Sequence, residues 1–307
     1  MRYDFTHGQE LLACCAQAGE PIHRVMLRRE AQWSERPEEQ IWRQMQENWT
    51  IMCASARRGI EQAPASVGGL VGGEARKIQT YADHTPTLGG VVLCRAAARA
   101  MAVVEVNAAM GRIVAAPTAG ASGVLPGVLM TVQQTFGYTD EHMVQALFTA
   151  AAVGMLVQRN ASVAGAEGGC QAEVGTAAAM AAAALVELRE GTPEQALDAA
   201  ATALQNLMGL VCDPVAGLVE VPCVKRNAIG AANALLCADL ALAGVGSLIP
   251  FDQTVEAMYA VGCALPPSLR ESGQGGLAGT PKAKEIADEI FHTDSPCTGC
   301  GKANRGK

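Results

Sequence analysis

Apolar positions recur at helical spacing along almost the whole chain. Over residues 1–62 the face Ile41, Met45, Trp49 and Met52 follows a 3.6-residue repeat between densely charged stretches, which predicts an amphipathic helical prefix. Pro37, shortly after Ser34, suits a first helical turn. A glycine-rich break, PASVGGLVGGEAR, follows at 64–76. From about residue 86, alanine-rich runs alternate with glycine and proline turns, predicting helices at 89–110, 125–136, 140–158, 171–189, 193–208, 225–244, 252–263 and 281–290. Thr139 and Thr192 read as N-caps, the second with proline at the first helical position and Gln195 three residues on. No period-two alternation is long enough for a large sheet, so the expected class is all-α, with interior glycine-rich loops. The expected organisation is a prefix (1–62) packed on a main helical domain (63–290), then a flexible tail (291–307).

Composition sharpens this picture. Hydrophobic residues make up 50% of the 307 and charged residues 17%, which excludes a disordered chain. The net charge of -7 argues against nucleic acid as a partner. Aromatics are only 4% and glycines number 33, so the core must be built from alanine and small aliphatics whose helices approach closely. The stretch 228–249 is apolar enough to raise a membrane span, but it contains Asp239 and gains little from alanine and glycine, so a buried helix is expected and no membrane. Eleven cysteines without a secretory signal pattern read as reduced thiols or metal ligands in a cytoplasmic protein.

Four loops are apolar and glycine-rich where solvent-facing connections are usually polar: 116–127, 160–175, 210–228 and 271–280. Cys170, Cys212 and Cys223 lie in them beside glycine and proline turns. Their spacing matches neither a zinc ribbon nor a ferredoxin run, and by spacing alone they are equally ordinary buried thiols. Thr118, Gly120, Ser122 and Gly123 form a small-residue turn leading into a helix, either an anion-binding turn or a tight connection. Lys225, Arg226 and Asn227 follow Cys223 at a helix start, where cations are disfavoured unless an anion is near. Asn160 and Ser162 open the second loop as substrate contacts or as a helix end. Glu167 is a base only if buried.

The strings GRIVAAPTAGASGVLPG, NASVAGAEGGCQAEVG, GLVCDPVAGLVEVPCVKRNAIGAANA and ALPPSLRESGQGGLA resemble, in order and spacing, the signatures of the alpha subunit of iron-sulfur-dependent L-serine dehydratases. The resemblance implies a [4Fe-4S] cluster on Cys170, Cys212 and Cys223, with one iron left open as a Lewis acid for the hydroxyl of L-serine. It implies beta-elimination to pyruvate and ammonia without pyridoxal phosphate. Lys225 and Glu167 are the expected catalytic residues; Thr118, Gly120, Ser122, Gly123, Asn160, Ser162, Arg226 and Asn227 the expected substrate contacts. Elimination on threonine or cysteine, or a non-catalytic iron-sulfur sensor subunit, are the alternatives.

None of the five histidines falls in a signature string, and the Ser-Ser-Ser-His-Thr motif carried by single-chain members of the family does not occur here. A separate beta subunit, and hence a hetero-oligomer, is therefore expected. In the tail, Cys297 and Cys300 form a CxxC with three readings: a ligand folding back on the open iron, a redox or metal-transfer pair, or incidental thiols.

Overall fold

The computed structural model describes residues 2–292, so the CxxC of Cys297 and Cys300 lies outside the described residues. In chain order the helices are α1 (Gly8–Ala18), α2 (Ile22–Ser34), α3 (Glu38–Gln62), α4 (Glu74–His84), α5 (Val91–Ala108), α6 (Val124–Phe136), α7 (Asp140–Asn160), α8 (Gly165–Gly168), α9 (Thr176–Leu188), α10 (Pro193–Asn206), α11 (Cys223–Leu242), α12 (Phe251–Ala264) and α13 (Pro281–His292). A π-helical turn, Gln171–Gly175, leads into α9. Among the described residues there is no strand, only an isolated bridge between Cys212 and Arg270. The class is all-α.

The core forms where alanine runs leave no polar face. In α9 every residue from Thr176 to Val186 is buried, and α7, α10 and α11 pack around it. The second buried rod is α5, covered by α3, α4, α6 and α11. Small side chains let these helices approach to backbone contact. A Cβ added at Gly123, where α6 begins, would lie 2.0 Å from the Ala100 carbonyl oxygen of α5, so only glycine fits there. The stretch 228–249 is not one long span: α11 ends at Leu242, and no helix among the described residues is long and apolar enough to cross a membrane.

Two of the helices legible in sequence carry their own local caps. Thr139 and Thr192 each form a capping box, with His142 and Gln195 respectively. Helix α4, absent from the sequence reading, has no local side-chain cap. Its first N–H groups, on Gly73 and Ala75, instead donate to the buried Glu105 carboxylate of α5 at 3.1 and 2.9 Å. The prefix is tied down the same way. At α1, Gly8 and Gln9 donate to Asp252 of α12 at 2.6 and 3.1 Å; at α2, Ile22 donates to Glu187 of α9 at 2.7 Å. Each carboxylate also complements the positive end of a helix dipole. Helices α1 and α2 therefore depend on later parts of the chain for their caps. Of the cysteines expected in the core, Cys14, Cys15, Cys53, Cys94 and Cys237 are buried; Cys263 is exposed on α12.

Candidate active site

The glycine-rich loops meet at the N-terminal ends of α9 and α11. Cys170 immediately precedes the π-helical turn, a helical irregularity frequent at functional sites. Its position is set by the buried Gln171, whose Nε2 donates to the carbonyls of Gly168 and Met258 at 2.9 and 3.0 Å and whose Oε1 accepts from Gly209 N–H at 2.8 Å. Gln171 thus joins the Cys170 turn to the segment leading to Cys212. Cys212 is held by its backbone: its N–H donates to the Leu269 carbonyl at 2.9 Å, and its carbonyl accepts from Glu271 N–H at 2.7 Å. Cys223 is the first residue of α11. The loop before it is anchored by the buried Glu220, which accepts from Gly68 and Leu70 N–H at 2.7 and 3.0 Å and so fixes the glycine-rich break beside the site.

Cys170 and Cys212 are buried and Cys223 half-buried. Burial pushes the Cys170 thiol up to about 11 and the Cys223 thiol up to about 12. Burial also raises Cys212, as do the neighbouring Glu173 carboxylate and the other two sulfurs. Arg226 opposes this at Cys170 and Cys223. Its guanidinium donates to the Val211 carbonyl at 2.8 Å and pairs with Asp213 at 2.8 Å, and Asp213 in turn accepts from Leu277 N–H at 2.7 Å. Burial outweighs this cation, so the three sulfurs are held as thiols unless a bound group shares their charge.

Three thiols in one region are the donor type that iron-sulfur clusters take. Among the described residues no three His, Cys, Asp or Glu side chains converge tightly enough to enclose one metal ion. The Cys170 sulfur nevertheless raises the pKa of Cys212 and Cys223, so the three thiols border one region.

Glu173, on the π-helical turn, is the residue that sequence reading missed. Its Oε1 accepts from Thr118 Oγ1 at 2.7 Å, and its Oε2 lies 3.9 Å from Cys212 Sγ. Burial pushes its carboxyl above the usual range, and Glu271 adds to the shift. A Cβ on Gly165 would come within 2.7 Å of Glu173 Oε2 and 3.0 Å of Cys212 Sγ, so glycine is what leaves room for the carboxylate and thiol. The available signal was its place three residues after Cys170 in GGCQAEVG.

The other expected site residues divide. Thr118 and Gly120 border Glu173, the latter at 3.2 Å from a would-be Cβ, and Arg226 faces the thiols. Asn227 is fully buried and acts as a bracket: it accepts from Gly123 N–H at 3.0 Å and donates to the carbonyls of Gly120 and Cys223 at 2.7 and 3.0 Å. It positions the 117–123 turn, with both of its amide hydrogens committed to backbone carbonyls. Ser122 is buried and donates to the Ala119 carbonyl at 2.7 Å. Asn160 closes α7 and donates to the carbonyls of Thr6 and Leu156 at 2.7 and 2.9 Å, the helix-end role. Glu167 is exposed and accepts from the Ser162 hydroxyl, so the burial its role as a base requires is absent. Lys225 is exposed and lines a crevice with Leu70, Glu74 and Glu220 that contains none of the three cysteines. A cavity of about 470 Å³ around His23 and Glu187 is likewise separate, and Glu187 is occupied in capping α2.

The Arg226–Asp213 pair carries a stability prediction. Their side chains are 15% and 4% exposed, so Arg226→Met strands a buried carboxylate and should cost about 3–5 kcal/mol in urea unfolding. Arg226→Met combined with Asp213→Asn should recover most of that loss.

Comparison with known proteins follows the same residues. The family model for the serine dehydratase alpha chain matches residues 17–278. The "Probable L-serine dehydratase, alpha chain" of Bacillus subtilis is 50% identical over 287 residues, covering 94% of this chain and 95% of that one. The "L-serine dehydratase, alpha chain" of Peptoniphilus asaccharolyticus is 44% identical over 283 residues, covering 92% and 97%. The longer "L-serine dehydratase" of Streptomyces coelicolor is 39% identical over 286 residues, which are 91% of this chain but 61% of that protein. Cys170, Cys212 and Cys223 all lie inside the matched region, and the chain belongs to the serine dehydratase alpha chain family.

Proposed function

We propose that this chain is the iron-sulfur subunit of a cytoplasmic L-serine dehydratase, converting L-serine to pyruvate and ammonia. What supports this reading is that the sulfurs of Cys170, Cys212 and Cys223 lie close enough to influence one another, beside Arg226 and the carboxylate of Glu173. Cys170, Cys212 and Cys223 would hold a [4Fe-4S] cluster, which when bound supplies a Lewis acid for the departing hydroxyl. Removal of the alpha proton and the beta hydroxyl gives 2-aminoacrylate, which tautomerises and hydrolyses to the two products.

The chain's own residues supply the rest of the site's chemistry. Thr118 fixes one oxygen of Glu173 by its hydrogen bond, leaving the other directed toward Cys212. Glu173 is placed to accept a proton from a substrate lying between the 117–123 turn and the thiols. Arg226 is held by Asp213 and the Val211 carbonyl, so its charge is fixed in place rather than recruited during reaction. The printed names of the relatives describe alpha chains, and this chain spans 61% of the longer Streptomyces protein. A separate beta chain supplying the remaining part of the site agrees with both facts.

The test is a product assay on the anaerobically prepared complex with its beta chain. Serine should yield pyruvate and ammonia in equal amounts. Formation of 2-oxobutyrate from threonine, or sulfide from cysteine, with serine inert would transfer the chemistry to those substrates. An intact cluster with no turnover of any of the three would support the sensor reading.

A further inference from the structure

Helix α11 carries an uncovered apolar face whose charges are arranged to meet a second copy of themselves. Its inner side is buried through Val224, Asn227, Ala231, Ala234 and Ala238. The opposite side presents Ile229 and Leu236, each 58% exposed. Stepping by three and four residues, positions 225, 229, 232, 236, 239 and 243 fall on one stripe of the helix. The stripe reads Lys225, Ile229, Ala232, Leu236, Asp239 and Ala243, and the chain beyond it continues with exposed Val245, Leu248 and Ile249.

The two charges on this stripe stand at the wrong ends of their own helix. Lys225 is in the first turn, where the dipole disfavours a cation; Asp239 is in the last turn, where it disfavours an anion. Neither forms an ion pair among the described residues. They are 14 residues apart, about 21 Å along the axis. The charged ends of the stripe are symmetric about position 232, Lys225 and Asp239 lying seven residues to either side, while Ile229 and Leu236 lie three and four residues from it. A small alanine occupies the centre, where two helices crossing antiparallel approach most closely.

We propose that two copies of this chain pair through α11, antiparallel about a twofold axis near Ala232. In that register Lys225 of each copy faces Asp239 of the other, and Ile229 packs against Leu236. Each wrong-end charge then meets an opposite charge and the favourable end of the other helix's dipole. Such a contact is isologous, the geometry of most homodimers. It brings the C-terminal end of one α11, with Val245, beside the N-terminal end of the other, where Cys223 begins the helix. The two thiol sites of the dimer would thus flank one interface.

Sedimentation velocity of the full-length chain over a concentration series tests this, with Leu236→Glu, Lys225→Asp, Asp239→Lys and the Lys225→Asp/Asp239→Lys double variant. The expected result is a dimer that Leu236→Glu renders monomeric. Each single reversal should weaken association about tenfold or more, by setting like charges opposite each other twice per dimer. The double variant should regain most of the affinity, because the pairs are restored with their signs exchanged. A monomeric parent chain overturns the proposal, as does a dimer indifferent to Leu236→Glu. A double variant no tighter than the single ones overturns the antiparallel register. If Leu236→Glu instead releases only the beta chain from the complex, the face belongs to that partner and the proposal fails.

Discussion

Cys212→Ser should abolish the visible absorption of the reconstituted cluster and lower pyruvate formation by more than about 100-fold, beyond the cost typical of losing a residue that merely supports a ligand. The substitution is nearly isosteric. Cys212 is positioned by backbone bonds to Leu269 and Glu271 that serine also makes, so the loop should keep its course. What changes is the donor, since a serine hydroxyl gives up its proton far less readily than a thiol. Cys237→Ser is the control. That thiol is equally buried but sits on α11 among Asn206 and Asn233, at 3.4 Å from each, and its replacement should leave absorption and turnover near those of the parent. Equal losses in the two variants would mean that general thiol chemistry, rather than the site, is being read.

The second large effect is expected at Glu173. Glu173→Gln keeps the side chain's shape and its bond from Thr118, but cannot accept a proton. If Glu173 takes a proton in the reaction, kcat should fall by about 10²–10⁴, the usual contribution of a positioned acid or base. Cluster absorption and unfolding free energy should stay close to the parent's. Thr118→Val removes the hydroxyl that orients the carboxylate and should produce a smaller loss in the same parameter. A Glu173→Gln enzyme with unchanged kcat would assign proton removal to another group, with the beta chain the first place to look.

The sequence made the helices legible wherever a helix carries its own cap or a clear apolar period. Thr139 with α7 and Thr192 with α10 are such cases. It failed at α4 because the group that caps the start of that helix, Glu105, lies some thirty residues away on α5; a cap supplied through space leaves no local mark. The site divides along the same line. Glycine-rich loops of low polarity marked which segments meet, because such loops need each other or a ligand to cover their backbones. Which side chains then face inward was not readable from spacing. Lys225 and Arg226 are adjacent in sequence, yet successive helix positions diverge by about 100°, so Arg226 meets the thiols while Lys225 points away. Glu167 and Glu173 differ likewise: the first sits on the exposed turn of α8, the second on the π-helical turn beneath it. Asn227 was expected to touch substrate because polar groups near a site invite that reading. Its three bonds to the neighbouring backbone give it a positioning role.

The central claim is that Cys170, Cys212 and Cys223 hold a cluster that L-serine reaches. Anaerobic reconstitution of the full-length chain with iron and sulfide, followed by Mössbauer spectroscopy with and without L-serine and its beta chain, tests this most directly. One iron subsite distinct from the other three, shifting when serine is added, is the predicted result. Failure to assemble a cluster with the three cysteines intact, or a cluster whose spectrum ignores serine even in the complete complex, would contradict it.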